Sequence, residues 1–324
     1  MTGLVIACTA TFGEEADRVL VEGVAPHALT LPAVRAATNL APAAQNAAVL
    51  DAEVVLGQPS PEDLLVAPRL RWVHLNSAGY TRYDVPEVRA ALAARGVALT
   101  TSSGVYDDPC AEHALALLLA ASRRLPECVE LQLGGKAWPS KAVRGRSALL
   151  RGRRVLLLGF GAIGRRLSEL LGPFGVDLAI FRAHPRGDEP GRVVGPEALG
   201  EAFAWAEMVV STLPENEATR GLVSRALLDR MQADAWFVNV GRGTTVDQGA
   251  LVDALAARRL GGAYLDVTDP EPLPPDHPLW TAPDCWITPH TAGGHRGEMV
   301  ALVQHFLANL RRFERGEPLV DRVV

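Results

Sequence analysis

Three side chains of complementary chemistry lie in the second half of the chain. Arg242 sits between two glycines in "FVNVGRGTTVD", Glu271 follows Asp266 in "YLDVTDPEPLP", and His290 ends "WITPH" ahead of Gly293 and Gly294. Each follows a short apolar run with the pattern of a buried strand. Together they suit the reduction of a 2-oxo acid. An arginine can hold the carboxylate bidentately and polarise the carbonyl. A histidine can donate a proton to the carbonyl oxygen as hydride reaches the carbon. A glutamate bonded to the other imidazole nitrogen orients the ring and favours its charged form. Taken singly, each has a plainer reading: a loop anchor for Arg242, a solvated acid for Glu271, a structural histidine for His290. The weight comes from all three standing at successive strand ends of one nucleotide-binding sheet.

Hydride needs a donor, and "LLLGFGAIGRRL" offers a place for one. Gly159, Gly161 and Gly164 form G-x-G-x-x-G, with Phe160, Ala162 and Ile163 between them. The pattern alone is weak, since 30 glycines in 324 residues give roughly 0.25 matches by chance. Context strengthens it. The turn follows an apolar run, opens a helical pattern and precedes a second strand within a βαβ-length unit. Gly159 allows the tight turn, Gly161 lets the backbone approach a pyrophosphate, and Gly164 allows close helix–strand packing. The helix N-terminus adds unpaired N–H groups.

The second strand ends in "AIFRAHPR" (179–186). An acid normally stands about 20 residues past the glycines and accepts from the ribose 2′-OH. Here Phe181 and Arg182 occupy that strand end, and the acids Asp188 and Glu189 come later. A cation suits a 2′-phosphate, which arginine's planar fork can grip. The expected cofactor is therefore NADP(H) rather than NAD(H), with Arg182 as first contact and Arg186 as second. His184 reads as a solvated loop residue.

Elements must position these groups. Apolar runs at 4–8, 52–57, 70–75 and 97–101, with a helical pattern at 86–96, give a first βαβ rhythm and a parallel α/β layer. Asp108 and Pro109 read as the cap and first residue of a mostly apolar helix over 110–125. Residues 134–153 read as an exposed arm or loop. A second rhythm follows, with strands at 154–159, 177–181, 208–212, 235–240, 262–267 and 285–288. Helical patterns run over 162–172 and 248–260, and a last helix over 297–316 ends the chain.

Composition narrows the function classes. Hydrophobic residues are 48% and charged residues 21%, the profile of a globular protein, and the formal charge of −5 gives no general basic field for nucleic acid. No apolar run reaches the roughly 20 residues that span a bilayer. The opening stretch reads as a first strand rather than a signal peptide. Cys8, Cys110, Cys128 and Cys285 are scattered without metal-ligand spacing, so no metal and a reduced, cytoplasmic setting are expected.

The chain resembles the D-isomer-specific 2-hydroxyacid dehydrogenases over nearly its whole length. The carrying pieces are "LNSAGYTRYD", "AEHALALLLA", "LLLGFGAIGRRL", "STLPENEATRGLV", "FVNVGRGTTVDQGALVDAL", "YLDVTDPEPLPPDHPLW" and "ITPHTAGG", in family order and spacing. The resemblance implies two Rossmann-like or flavodoxin-like α/β domains with parallel sheets and a cleft between them. The substrate domain would be residues 1–103 plus 290–324, and the dinucleotide domain 104–289. Arg242, Glu271 and His290 match the family's catalytic set. Ala78 and Gly79 match the loop whose N–H groups grip the substrate carboxylate, and Leu56, Gly57 and Gln58 should face the substrate. Leu213, Pro214 and Thr219 match the adenosine side, while Val240, Gly241, Asp266 and Gly293 match positions near the nicotinamide. A homodimer is implied, paired through the cofactor domain and an arm near 126–150, with Trp138 read as an ordinary buried interface residue or, alternatively, as reaching the partner's cleft.

Departures also inform. The 2′-OH-binding acid is absent, and "AHPR" is similar to the basic loop of NADPH-using glyoxylate/hydroxypyruvate reductases. Thr268 stands where an aromatic residue often follows the Asp-Val pair, which bears on local packing. Glu271 replaces the glutamine of formate dehydrogenases, which disfavours formate. No regulatory region of the phosphoglycerate dehydrogenase kind is expected. The expected function is NADPH-dependent reduction of a small 2-oxo acid such as glyoxylate or hydroxypyruvate. Alternatives are a dehydrogenase of a bulkier 2-hydroxy acid or of phosphite, and a dinucleotide-sensing corepressor that shares the fold.

Overall fold

A computed structural model describes residues 3–32, 35 and 45–324. Two compact units emerge: the chain up to Tyr106 together with Gly294–Val324, and Asp107–Gly293. The division falls a few residues beyond the limits read from the sequence. The helix Ser103–Arg123 already starts within the first unit, and the loop carrying His290 stays with the second.

The first unit holds five parallel strands: β1 (Val5–Cys8), β2 (Ala28–Thr30), β3 (Val54–Leu56), β4 (Trp72–His74) and β5 (Ala98–Thr100), in spatial order β2-β1-β3-β4-β5. Their side chains alternate between faces. Ile6, Cys8, Leu56 and Trp72 pack with Leu20 of the helix Glu14–Gly23 and with Leu302 and Phe306 of the helix Glu298–Glu314. Ala7, Val55, Val73 and Leu99 meet Leu64, Val88 and Leu92 on the other face.

The second unit is a seven-stranded parallel sheet: β6 (Arg154–Leu158), β7 (Asp177–Phe181), β8 (Arg192–Val194), β9 (Met208–Ser211), β10 (Trp236–Asn239), β11 (Gly262–Leu265) and β12 (Cys285–Ile287). Its order is β12-β11-β10-β9-β6-β7-β8, so the direction of winding reverses beside β6. Its central strands are buried, as their uninterrupted apolar runs require. Ligands of such sheets bind beyond the carboxyl ends of the strands near that reversal.

Some expectations need correction. Asp108 caps nothing: the helix begins at Ser103, Pro109 lies inside it, and Asp108 pairs with Arg166. The donor side of that helix start is met from far along the chain, where Asp321 Oδ2 accepts from the Gly104 N–H at 2.8 Å. Residues 134–153, read as an exposed arm or loop, are largely exposed and include the helix Ser140–Arg146, which follows the helix Leu125–Gly134; neither helix has a buried residue. The last helix does not end the chain. Arg322 bridges Thr100 antiparallel, and the Val323 N–H donates to the Leu99 carbonyl at 2.8 Å. Finally, β2 and β8 were not readable from pattern, because each is a three-residue edge strand with mostly exposed side chains. Among the described residues, no helix is long and apolar enough to cross a membrane and no cluster could hold a metal ion.

Candidate active site

The glycine turn joins β6 to the helix Ala162–Leu171. Gly159 has φ +93°, open to glycine at little cost. A Cβ on Gly164 would stand 2.4 Å from the Gly159 carbonyl oxygen, so this helix meets the turn at a distance only glycine permits. Nothing lies within 4 Å of a Cβ on Gly161, which forms the N-cap without a side-chain partner. The first helical N–H groups beside Ala162 and Ile163 therefore face an open approach suited to a pyrophosphate. Phe160 is buried under the Arg165 guanidinium, 4.8 Å from its ring centroid. Gly241 packs on the backbone of Leu213, 2.5 Å from a built Cβ to the carbonyl oxygen, which brings the ends of β9 and β10 together. Leu213 and Val240 are buried there, and the Thr219 hydroxyl donates to the Pro214 carbonyl at 2.6 Å.

Arg182 follows β7 directly and does not stand alone. Its Nη1 bonds Asp188 at 3.2 Å and Glu189 at 2.8 Å. Glu189 also accepts from the N–H groups of Arg186 and Gly187 at 3.0 and 2.9 Å. The Arg186 N–H bond, joined by Arg182, holds the Glu189 carboxyl down at about 2. Asp188 bridges on to Arg165 at 2.8 Å. The acids that trail "AHPR" in sequence thus fold back to organise its loop. Both use Nη1, and among the described residues the Nε–Nη2 edge of Arg182 makes no such bond.

At the other end of the same sheet edge, Arg242 follows β10, Asp266 follows β11 and His290 follows β12. Buried Asn239 holds the arginine loop, donating to the Arg242 carbonyl and accepting from the Gly241 N–H, both at 3.0 Å. The Arg242 Nη1 donates to the Gly241 carbonyl at 2.6 Å. Glu271 Oε2 meets His290 Nδ1 at 2.7 Å, while its Oε1 accepts from the Thr268 N–H at 3.0 Å. Burial works to raise the Glu271 carboxyl, but hydrogen bonds from His290 and Thr268 and the charges of His290 and Arg242 outweigh it, so its value is lowered. The His290 side chain is 42% exposed, so its far nitrogen, Nε2, can be reached from outside.

His290 has φ +53°, a left-handed conformation rare for a non-glycine residue. Asp266, 2% exposed, is built around this loop. It accepts from the Thr288 hydroxyl at 2.6 Å and from the N–H groups of Thr291 and Ala292, both at 2.9 Å. Gly293 follows directly.

Gly57, Ala78 and Gly79 belong to the first unit. Gly57 has φ +122° and passes so close to Thr9 and Ala10 that a Cβ would sit 2.5 and 2.8 Å from them. Gln58 donates to Asn76 at 3.0 Å and to Ser77 at 2.9 Å, and Ser77 donates to the Gly79 carbonyl at 2.7 Å. The two expected substrate loops of that unit are therefore one hydrogen-bonded group. Asn239, Thr288 and Ser77 were not singled out from sequence. Their signal was a polar residue at the end of an apolar strand, which strand-end chemistry elsewhere in the chain shares.

Residues 115–292 match the family model described as the D-isomer specific 2-hydroxyacid dehydrogenase, NAD binding domain. The chain belongs to that family. Glyoxylate reductase from Aeropyrum pernix is 33% identical over 267 residues, 80% of this chain and 78% of that one. The human glyoxylate reductase/hydroxypyruvate reductase is 32% identical over 254 residues, 77% and 76% of the two chains. The solved NADPH-dependent glyoxylate/hydroxypyruvate reductase from Sinorhizobium meliloti, in complex with NADP and malonate, superposes with TM-score 0.74 at 26% identity, covering 98% of this chain and 96% of that one. This 2-hydroxyacid dehydrogenase is thus an NAD(P)-dependent oxidoreductase acting between 2-oxo and 2-hydroxy acids.

Proposed function

We propose that the protein reduces small 2-oxo acids, glyoxylate or hydroxypyruvate, to the D-2-hydroxy acid with NADPH. The observation that carries the reading is the 2.7 Å Glu271–His290 pair beside Arg242 at one strand-end edge. Bound nicotinamide supplies the hydride, with the dinucleotide held by Gly159, Gly161, Gly164 and the neighbouring N–H groups. Arg242 holds the substrate carboxylate and polarises the carbonyl. With Nδ1 bonded to Glu271, His290 delivers the proton from Nε2 to the carbonyl oxygen as hydride arrives at carbon. Ionised Glu271 orients the ring through its bond to Nδ1. The N–H groups of Ala78 and Gly79 are assigned to the substrate carboxylate by the family pattern.

The choice of NADPH is supported by the Nε–Nη2 edge of Arg182, which the bonds to Asp188 and Glu189 leave unused, and by Arg186 four residues on. Two parallel N–H groups suit a 2′-phosphate. The relative from Sinorhizobium meliloti was solved in complex with NADP and malonate, and one from Xanthobacter autotrophicus in complex with NADPH, which supports this reading. A homodimer is supported by the arm. Leu125, Val129 and Leu133 recur every fourth residue along one helix and, with the 91% exposed Trp138, present exposed apolar surface.

The test is NADPH oxidation with glyoxylate, hydroxypyruvate, bulkier 2-oxo acids and, in reverse, phosphite with NADP. Fastest turnover of the two small acids is expected. Preference for a bulky acid or phosphite would overturn the substrate assignment, and no turnover at all would favour a dinucleotide-binding role.

A further inference from the structure

The left-handed backbone of His290 needs an explanation. Such a conformation is unfavourable for a non-glycine residue and persists only where its surroundings determine it. Here the His290 N–H donates to the carbonyls of Asp266 and Thr288 at 2.8 and 2.9 Å, and the next two N–H groups end on the Asp266 carboxylate. The conformation of His290 therefore depends on how that buried carboxylate is held.

One chain of hydrogen bonds holds it. The Thr288 hydroxyl donates its single hydrogen to Asp266 Oδ1 at 2.6 Å. His113 Nε2 lies 3.2 Å from the same hydroxyl oxygen. With the hydroxyl hydrogen committed, His113 must be the donor, which fixes its Nε2–H form. His113 Nε2 is also 3.8 Å from Asp266 Oδ1. The sequence runs His113 Nε2–H to Thr288 Oγ1–H to Asp266 Oδ1, and Asp266 in turn takes the N–H groups of Thr291 and Ala292. His113 stands on the helix Ser103–Arg123, so the chain ties the His290 loop to a long element outside the loop.

We propose that His113 and Thr288 are positioning residues that hold His290 in its left-handed conformation through the Asp266 carboxylate. Both act through Asp266. The role rests on the assignment of His290 as proton donor, while the clamp itself does not. The geometry explains why a lone histidine interrupts the apolar helix "AEHALALLLA" and why a threonine precedes Pro289.

The test is Thr288→Val, which keeps shape and removes the hydroxyl, with Thr288→Ser as its conservative counterpart and His113→Phe as a second, independent break. Hydrogen exchange of the Thr291 and Ala292 amides should accelerate about tenfold in Thr288→Val and His113→Phe, and stay near the parent rate in Thr288→Ser. In turnover with a 2-oxo acid, kcat should fall about tenfold to a hundredfold in the two broken variants, with the dissociation constant for reduced cofactor unchanged and activity restored in Thr288→Ser. Unchanged amide exchange in the broken variants would overturn the proposal. So would a loss confined to cofactor binding or thermal stability with kcat intact. Should the parent protein turn over no 2-oxo acid, the function assigned to His290 fails, and the amide exchange still decides the clamp.

Discussion

The two ends of the cofactor-side sheet edge use carboxylates in opposite ways. At β10–β12, Glu271 and Asp266 build a loop that presents a titratable imidazole outward, with the nitrogen facing Glu271 already satisfied. At β7, Glu189 and Asp188 build a loop around a permanent cation and bond one side of it. At the first end, Glu271 bonds the imidazole itself and Asp266 bonds the backbone of the loop that carries it. The second is held partly neutralised, and its remaining guanidinium edge is what a 2′-phosphate would meet. An acid near the strand end therefore does not by itself imply recognition of a free ribose hydroxyl. Its bonding partners decide.

The contrast breaks first at His290. His290→Ala should lower kcat by roughly 10²–10⁴-fold while leaving the cofactor dissociation constant near the parent value. Steady-state kinetics with near-parent kcat would show that the β12 end is not the proton donor. Arg182→Ala comes next. Loss of charge-assisted bonds worth about 1.5–3 kcal/mol should raise KM for NADPH roughly 10- to 100-fold and barely move KM for NADH. Equal changes for both cofactors would mean that Arg182 only supports its loop.

The smallest effect is on acid stability. Glu189 is held at about 2 in the folded chain, below the ordinary value of 4.5. Its contribution to stability is therefore fully present above pH 4.5 and is lost as pH falls toward 2. Glu189→Gln should be less stable than the parent at pH 7, and the difference should shrink on acidification through that window. Urea midpoints measured from pH 7 to pH 2 check this. A difference that holds constant down to pH 2 would mean that the Glu189 charge does not hold the loop.

Much of this architecture was legible because its signals are local. The strand carrying "DLAIF" occupies Asp177–Phe181 as read, and the helix after the glycine turn runs Ala162–Leu171, one residue short of its reading. Short apolar runs and G-x-G-x-x-G need only neighbouring residues to be recognised. What stayed illegible depends on distant partners. Pro109 pointed to a helix start, but the true start at Ser103 is met by Asp321, 217 residues from Gly104. The return of Asp188 and Glu189 onto Arg182 is a loop conformation that charge pattern alone does not specify. His113 and Thr288 are 175 residues apart, and nothing in either local stretch announces the other.

The account rests most directly on which cofactor the β7 end selects. The deciding measurement is kcat/KM for NADPH and for NADH, with hydroxypyruvate saturating and at one fixed salt concentration. A clear preference for NADPH that disappears in Arg182→Ala is the predicted result. A preference for NADH in the parent protein would contradict it.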